Sequence, residues 1–205
     1  MAKLYFRYGV MGSSKTANAL MVKYNYEEKG KFAWLIKPSI DTRDDELDSN
    51  GSRKTIVKSR IGLHAEADVV ASDKSIIEAF KAKSTSTKID AIIVDEVQFM
   101  TENQIDDLKM ICEYGHIPII CYGLLTDFRT KLFPGSRRLI EVANEVERIR
   151  HICKCGDGAQ VNARLDSFGN VVTEGAQVEI GGNERYEAMC WKCWNNHIGN
   201  NELEF

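Results

Sequence analysis

Near the N-terminus the chain reads Gly9-Val10-Met11-Gly12-Ser13-Ser14-Lys15-Thr16, directly behind the apolar run Leu4-Tyr5-Phe6. These are the residue types of a loop that holds phosphate. Gly9, Lys15 and Thr16 keep the usual spacing of such loops, while Ser14 stands where a second glycine is expected. In this chemistry successive backbone amides wrap an anion at a helix N-terminus, the lysine neutralises charge, and the hydroxyl serves a magnesium ion. Residues Gly9 to Thr16 are therefore the candidate nucleotide-phosphate site. If the loop needs a positive φ at Ser14, its Cβ costs about 1–2 kcal/mol. Gly12, two residues earlier, offers flexibility nearby.

A second signal follows the apolar run Ile89-Asp-Ala-Ile-Ile-Val94, which ends in Asp95-Glu96. A buried strand that ends in acids is the metal-side partner of a phosphate loop. Asp95 would bear on a magnesium shell with Thr16, and Glu96 would act as a general base. A third signal is the pair of cysteine pairs, Cys153-Lys-Cys155 and Cys190-Trp-Lys-Cys193. Four thiolates close a tetrahedral zinc site with no open position, so such a zinc is structural. His151 and His197 flank these pairs and read as surface residues, whereas Cys112 and Cys121 read as buried small hydrophobes.

The elements that must position these groups follow from periodicity. Strands are expected at Leu4–Tyr8, Phe32–Ile36, Ile89–Val94 and Ile117–Tyr122, with helices at about Lys15–Glu28, Ser75–Lys83 and Glu102–Tyr114. Alternating strands and helices imply an α/β fold: a parallel sheet flanked by helices, with ligands at the carboxyl ends of the strands. The acid-rich stretch Asp41 to Arg53 reads as a mobile surface loop. From about Ile152 the helical periodicity stops, and Val171-Val172-Thr173 is strand-like in a glycine-rich loop-and-hairpin module. The expected organisation is a nucleotide-binding domain over 1–150 and a small zinc-binding domain over 151–205.

Together, these motifs resemble type II thymidine kinases. The resemblance rests on the phosphate loop, Asp41-Thr42-Arg43, Asp95-Glu96-Val97-Gln98-Phe99, Cys121-Tyr-Gly-Leu-Leu-Thr-Asp-Phe-Arg129, Ile180-Gly-Gly-Asn-Glu-Arg-Tyr186 and the cysteine pairs. It runs in order along nearly the whole chain and is greatest to the bacterial and bacteriophage branch. It implies transfer of the γ-phosphoryl group of ATP, with Mg2+, to the 5′-hydroxyl of thymidine. It makes Glu96 the base, brings Arg43 to the reacting hydroxyl, and has Asp41 accept a hydrogen bond from the sugar. Met11, Phe99, Leu124, Phe128 and Phe133 would surround the base or support its pocket. A zinc-tethered lasso loop would close over it with Asn162, Val178, Gly181, Gly182 and Tyr186. Asn162 stands where many relatives carry a hydroxyl or another residue, and its amide can donate to a thymine carbonyl. Glu179 brings a charge into a segment that is usually apolar in relatives. The resemblance further implies a homotetramer and feedback inhibition by thymidine triphosphate.

Composition narrows the alternatives. A net charge of −3 argues against non-specific nucleic-acid binding. No apolar stretch reaches membrane-spanning length and no signal pattern opens the chain, so a reducing cytoplasm is expected and thiols are read as ligands rather than disulfides. The rival reading is a P-loop ATPase in which Glu96 orients water and the zinc module binds a protein or nucleic-acid partner. A catalytically dead nucleotide-binding homologue is a weaker rival, motivated by Ser14 alone.

Overall fold

The computed structural model describes residues 2–42, 45–47, 53–178 and 185–199. Its centre is a six-stranded sheet of β1 (Leu4–Tyr8), β2 (Ala33–Pro38), β7 (Asp68–Val70), β8 (Ala91–Val94), β9 (Ile119–Gly123) and β10 (Glu145–Arg148). The strands lie in the order β10-β1-β9-β8-β2-β7, and every pairing is parallel. All carboxyl ends therefore share one edge, which brings the segments after β1, β8 and β9 together.

Strand residues alternate between two apolar layers, as a pleated backbone requires. Leu4, Phe6, Trp34, Ile36, Ile92, Val94, Ile119 and Cys121 face one layer. That layer is completed by α2 (Ile76–Ser84), α3 (Glu102–Gly115) and α4 (Pro134–Val142). Ala33, Leu35, Ala91, Ile93, Ile120 and Tyr122 face the other, against Ala19 and Leu20 of α1 (Lys15–Glu27). Thr101 and Gln104 close a capping box that starts α3. Cys112 and Cys121 are both buried, and burial pushes both thiols up.

Between β2 and β7 lie two small hairpins, β3 (Glu46–Leu47) with β4 (Arg53–Lys54) and β5 (Ile56–Lys58) with β6 (His64–Glu66). A three-stranded antiparallel sheet of β11 (Val161–Leu165), β12 (Val171–Val172) and β13 (Tyr186–Met189) follows, ending in α5 (Trp191–His197).

Several expectations change. The strands begin or end up to two residues from the expected bounds. The start of the Asp41–Arg53 stretch is anchored: fully buried Lys37 donates to Asp45 (2.9 Å) and pairs with Asp41 (3.9 Å). Helical structure does not stop at Ile152, since α5 forms over a Trp-rich run. Helix α4 had no expectation at all; Pro134 at its first turn presets the helical φ.

Candidate functional site

The loop after β1 closes on itself. The amide of Ser13 donates to the Val10 carbonyl (3.2 Å), and so does the Lys15 ammonium (2.8 Å). Ser14 has φ 62° and ψ 23°, and Gly12 has φ 81°. The residue in place of glycine thus adopts the left-handed conformation that glycine tolerates best. Gly9 has no such latitude: a Cβ there would lie 2.3 Å from Ser13 Oγ and 2.9 Å from the Ile149 carbonyl. The Ser14 side chain makes no capping hydrogen bond. Ser14→Gly is therefore expected to relieve about 1 kcal/mol of strain and to raise the melting temperature by about 2–4 °C. Calorimetry checks this, and a lower melting temperature would mean that the Ser14 hydroxyl contributes something else.

Asp95 and Glu96 follow β8, at the same edge of the sheet as the loop. Thr16 Oγ1 donates to Asp95 Oδ2 (3.0 Å). Burial, and then the neighbouring Glu96 carboxylate, push the Asp95 carboxyl up to about 7. A cation at this position would reverse that, because it favours the ionised form. Hydroxyl and carboxylate side by side are the donor set expected of a magnesium–phosphate site.

Glu96 has φ 51°, a strained conformation that turns the chain out of β8 into the 3-10 turn Val97–Phe99. Gln98, 2 % exposed, holds it there: Gln98 Nε2 donates to Glu96 Oε2 (2.5 Å), and Gln98 Oε1 accepts from the Leu124 amide (3.0 Å). A Cβ on Gly123 would meet that oxygen at 2.5 Å, so glycine is required at this end of β9. Nothing in the sequence marks Gln98 for this task, because a lone glutamine carries no periodic signal.

Both acids border a cavity of about 550 Å³ that Met11, Gly12, Ser14, Lys15 and Thr16 also line. Phe99, Leu124, Phe128, Phe133, Asn162, Val178 and Tyr186 line it too, as does Asp41. Phe99 and Phe133 pack edge-on, with ring centroids 5.8 Å apart. The loop bearing Phe128 is shaped by buried Asp127, which accepts from the amides of Arg129 and Lys131 and from Gln177. Lys58, Arg60 and Ile61 also line the cavity near the phosphate loop. No motif marked them, since two cations in three residues are ordinary surface composition.

Asn162 lines the cavity and is also held by main chain on two sides. Its Oδ1 accepts from the Met11 amide (2.7 Å) and its Nδ2 donates to the Thr126 carbonyl (3.2 Å). It is 3 % exposed and ties β11 to both the phosphate loop and the segment after β9. Arg43, Gly181, Gly182 and Glu179 lie outside the described residues.

The four expected thiols converge. The Sγ atoms of Cys153, Cys155, Cys190 and Cys193 all lie within 4.8 Å of one another, with Cys155 and Cys190 at 3.6 Å. Thiolates on a zinc at about 2.3 Å lie roughly 3.8 Å apart, so the cluster fits that ion. Amides of Cys155 and Cys190 bring the Cys153 thiol down to about 7, while the surrounding thiols, Cys155 foremost, push Cys193 up to about 12. Four thiols this close cannot all ionise without a cation between them. The cluster could hold a metal such as zinc.

Fold and site together define a P-loop α/β protein with a four-cysteine ribbon. A thymidine kinase family model matches residues 2–194. Similar proteins named thymidine kinase occur in Shewanella oneidensis (40 % identical over 192 residues, 94 % of this chain and 96 % of the relative). Others occur in Zymomonas mobilis (38 % over 190 residues, 93 % and 94 %) and in Enterobacteria phage T4 (38 % over 195 residues, 95 % and 96 %). The chain belongs to the thymidine kinase family.

Proposed function

We propose that this chain transfers the γ-phosphoryl group of ATP to the 5′-hydroxyl of thymidine, giving thymidine monophosphate. The observation that supports the reading is one continuous cavity lined by the phosphate loop, by Glu96 and by the aromatic side chains Phe99, Phe128, Phe133 and Tyr186. A planar base fits against these aromatic side chains, and Met11, Leu124 and Val178 supply apolar contact for a methyl group.

Phosphoryl transfer depends on alignment and charge neutralisation more than on covalent catalysis. Lys15 and the amides of the Gly9–Thr16 loop hold the β- and γ-phosphates. Thr16 and Asp95 would hold Mg2+, which neutralises charge on the phosphates when bound. Glu96 accepts the proton of the 5′-hydroxyl, Asp41 accepts a hydrogen bond from the sugar, and Arg43 approaches the reacting groups. Asn162 borders the base through its side chain while its hydrogen bonds brace the loop.

The organisation that fits this reading is a nucleotide-binding domain over 1–150 and a lasso domain over 151–205. Gly181 and Gly182 of the lasso cover the base, and a structural zinc on Cys153, Cys155, Cys190 and Cys193 anchors its ends. A cytoplasmic homotetramer inhibited by thymidine triphosphate belongs to the same reading. Among the described residues no helix is long and apolar enough to cross a membrane.

Incubation with ATP, Mg2+ and thymidine tests the function. Thymidine-dependent ADP release with formation of the monophosphate is expected. ATP hydrolysis indifferent to thymidine would instead favour a P-loop ATPase, and no ADP release would favour a binding protein.

A further inference from the structure

β11 carries two polar side chains, Asn162 and Arg164, on the face opposite Val161, Ala163 and Leu165, which pack into the ribbon's own apolar cluster. Arg164 is only 4 % exposed. A guanidinium withdrawn this far from water persists only where several groups hold it. Its Cζ lies 3.8 Å from the centroid of the Phe128 ring, a close cation–π contact. Its Nε donates to the Tyr186 hydroxyl (2.9 Å), and its Nη2 donates to the Ala176 carbonyl (3.0 Å).

The three partners come from three different segments that contribute lining to the same cavity. Phe128 comes from the segment after β9, Tyr186 from the start of β13, and Ala176 immediately precedes the lining residues Gln177 and Val178. Arg164 does not line the cavity itself. It stands behind the aromatic wall and fixes three pieces of it at once. Gly175, next to Ala176, has φ 126°, and a Cβ there would lie 3.4 Å from Arg164 Nη1, so the main chain runs close against the guanidinium.

We propose that Arg164 is a positioning residue for the acceptor nucleoside. Its planar fork sets the Phe128 ring, the Tyr186 hydroxyl and the Ala176 main chain in one mutual geometry, so that the base enters a slot already formed. A lysine could supply the charge but not two directed hydrogen bonds and a flat stacking face together. The proposal rests on the thymidine kinase reading given above.

The test is steady-state kinetics of Arg164→Lys and Arg164→Gln with thymidine and ATP varied separately, alongside melting temperature and metal content. Losing a preformed slot is expected to raise the thymidine KM by about tenfold in Arg164→Lys, and further in Arg164→Gln, with the ATP KM within about twofold. A merely structural role would lower the active fraction, reducing apparent kcat and leaving both KM values in place. Tyr186→Phe removes one arm of the fork, so the effect of Arg164→Lys should be smaller in that background. Should Arg164→Gln fail to fold, Arg164→Lys decides. A thymidine KM unchanged in Arg164→Lys, or one rising no more than the ATP KM, overturns the proposal. Wild-type turnover of thymidine tests the functional reading by itself: its absence overturns both readings, whereas active wild-type enzyme with an unshifted variant overturns Arg164 alone.

Discussion

Glu96→Gln should lower kcat for thymidine phosphorylation by at least about a hundredfold, the ordinary contribution of a positioned general base. The substitution is close to isosteric, and its carbonyl oxygen can still accept from Gln98 Nε2, so the strained turn at Glu96 has its brace. Nucleotide binding should survive, because the phosphate loop is untouched. The Glu96 charge is one of the two influences that push the Asp95 carboxyl up, the larger being burial. Removing it should make Asp95 easier to ionise, so affinity for magnesium nucleotide should be kept or improved. Calorimetric titration with a magnesium–nucleotide complex separates the two effects: turnover falls while binding holds. An unchanged kcat would reject Glu96 as the base, and a parallel loss of nucleotide binding would mean that the variant damages the phosphate site instead.

Cys190→Ser should abolish tight metal binding. The wild-type chain is expected to carry about one zinc, since four thiolates complete a tetrahedral shell. Cys190 has two further tasks at the start of α5. Its sulfur accepts from the Cys193 amide (3.4 Å), and its own amide acts on the Cys153 thiol. Serine could replace the cap but not the thiolate. The ribbon's apolar cluster is small, so metal binding should contribute a large part of its folding free energy. Elemental analysis is expected to find less than about a fifth of a zinc per chain, and brief proteolysis should cut between residues 155 and 190 where wild type resists. The thymidine KM should rise with these changes. Zinc remaining at one per chain would contradict the assignment.

Much of this was legible because it was periodic or dense. Uninterrupted apolar runs announced β1, β8 and β9, and the fixed spacing of Gly9, Lys15 and Thr16 announced the loop. What stayed hidden has a physical reason in each case. β10 reads Glu-Val-Glu-Arg, exposed at every position along a sheet edge, so no apolar signal marks it. The hairpin of β5 and β6 is held by short pairings rather than by pattern. Gln98 and Arg164 act through partners distant in sequence, and Lys37 disappears into the core because Asp41 and Asp45 meet it there. The amide of Asn162 is engaged by main chain on two sides, through contacts far apart in sequence that no local pattern shows.

Val10 belongs to the apolar cluster of the ribbon, alongside Cys153, Ala159, Val161 and Trp194, although it is a residue of the phosphate loop. The sheets divide near residue 150, yet the cores do not. A fragment ending there would leave Val10 uncovered and take away the acceptor that Asn162 offers to the Met11 amide. The two parts of this chain are thus poor candidates for exchange: a foreign ribbon grafted onto the same sheet would have to supply new cover for Val10 and a new acceptor for the Met11 amide.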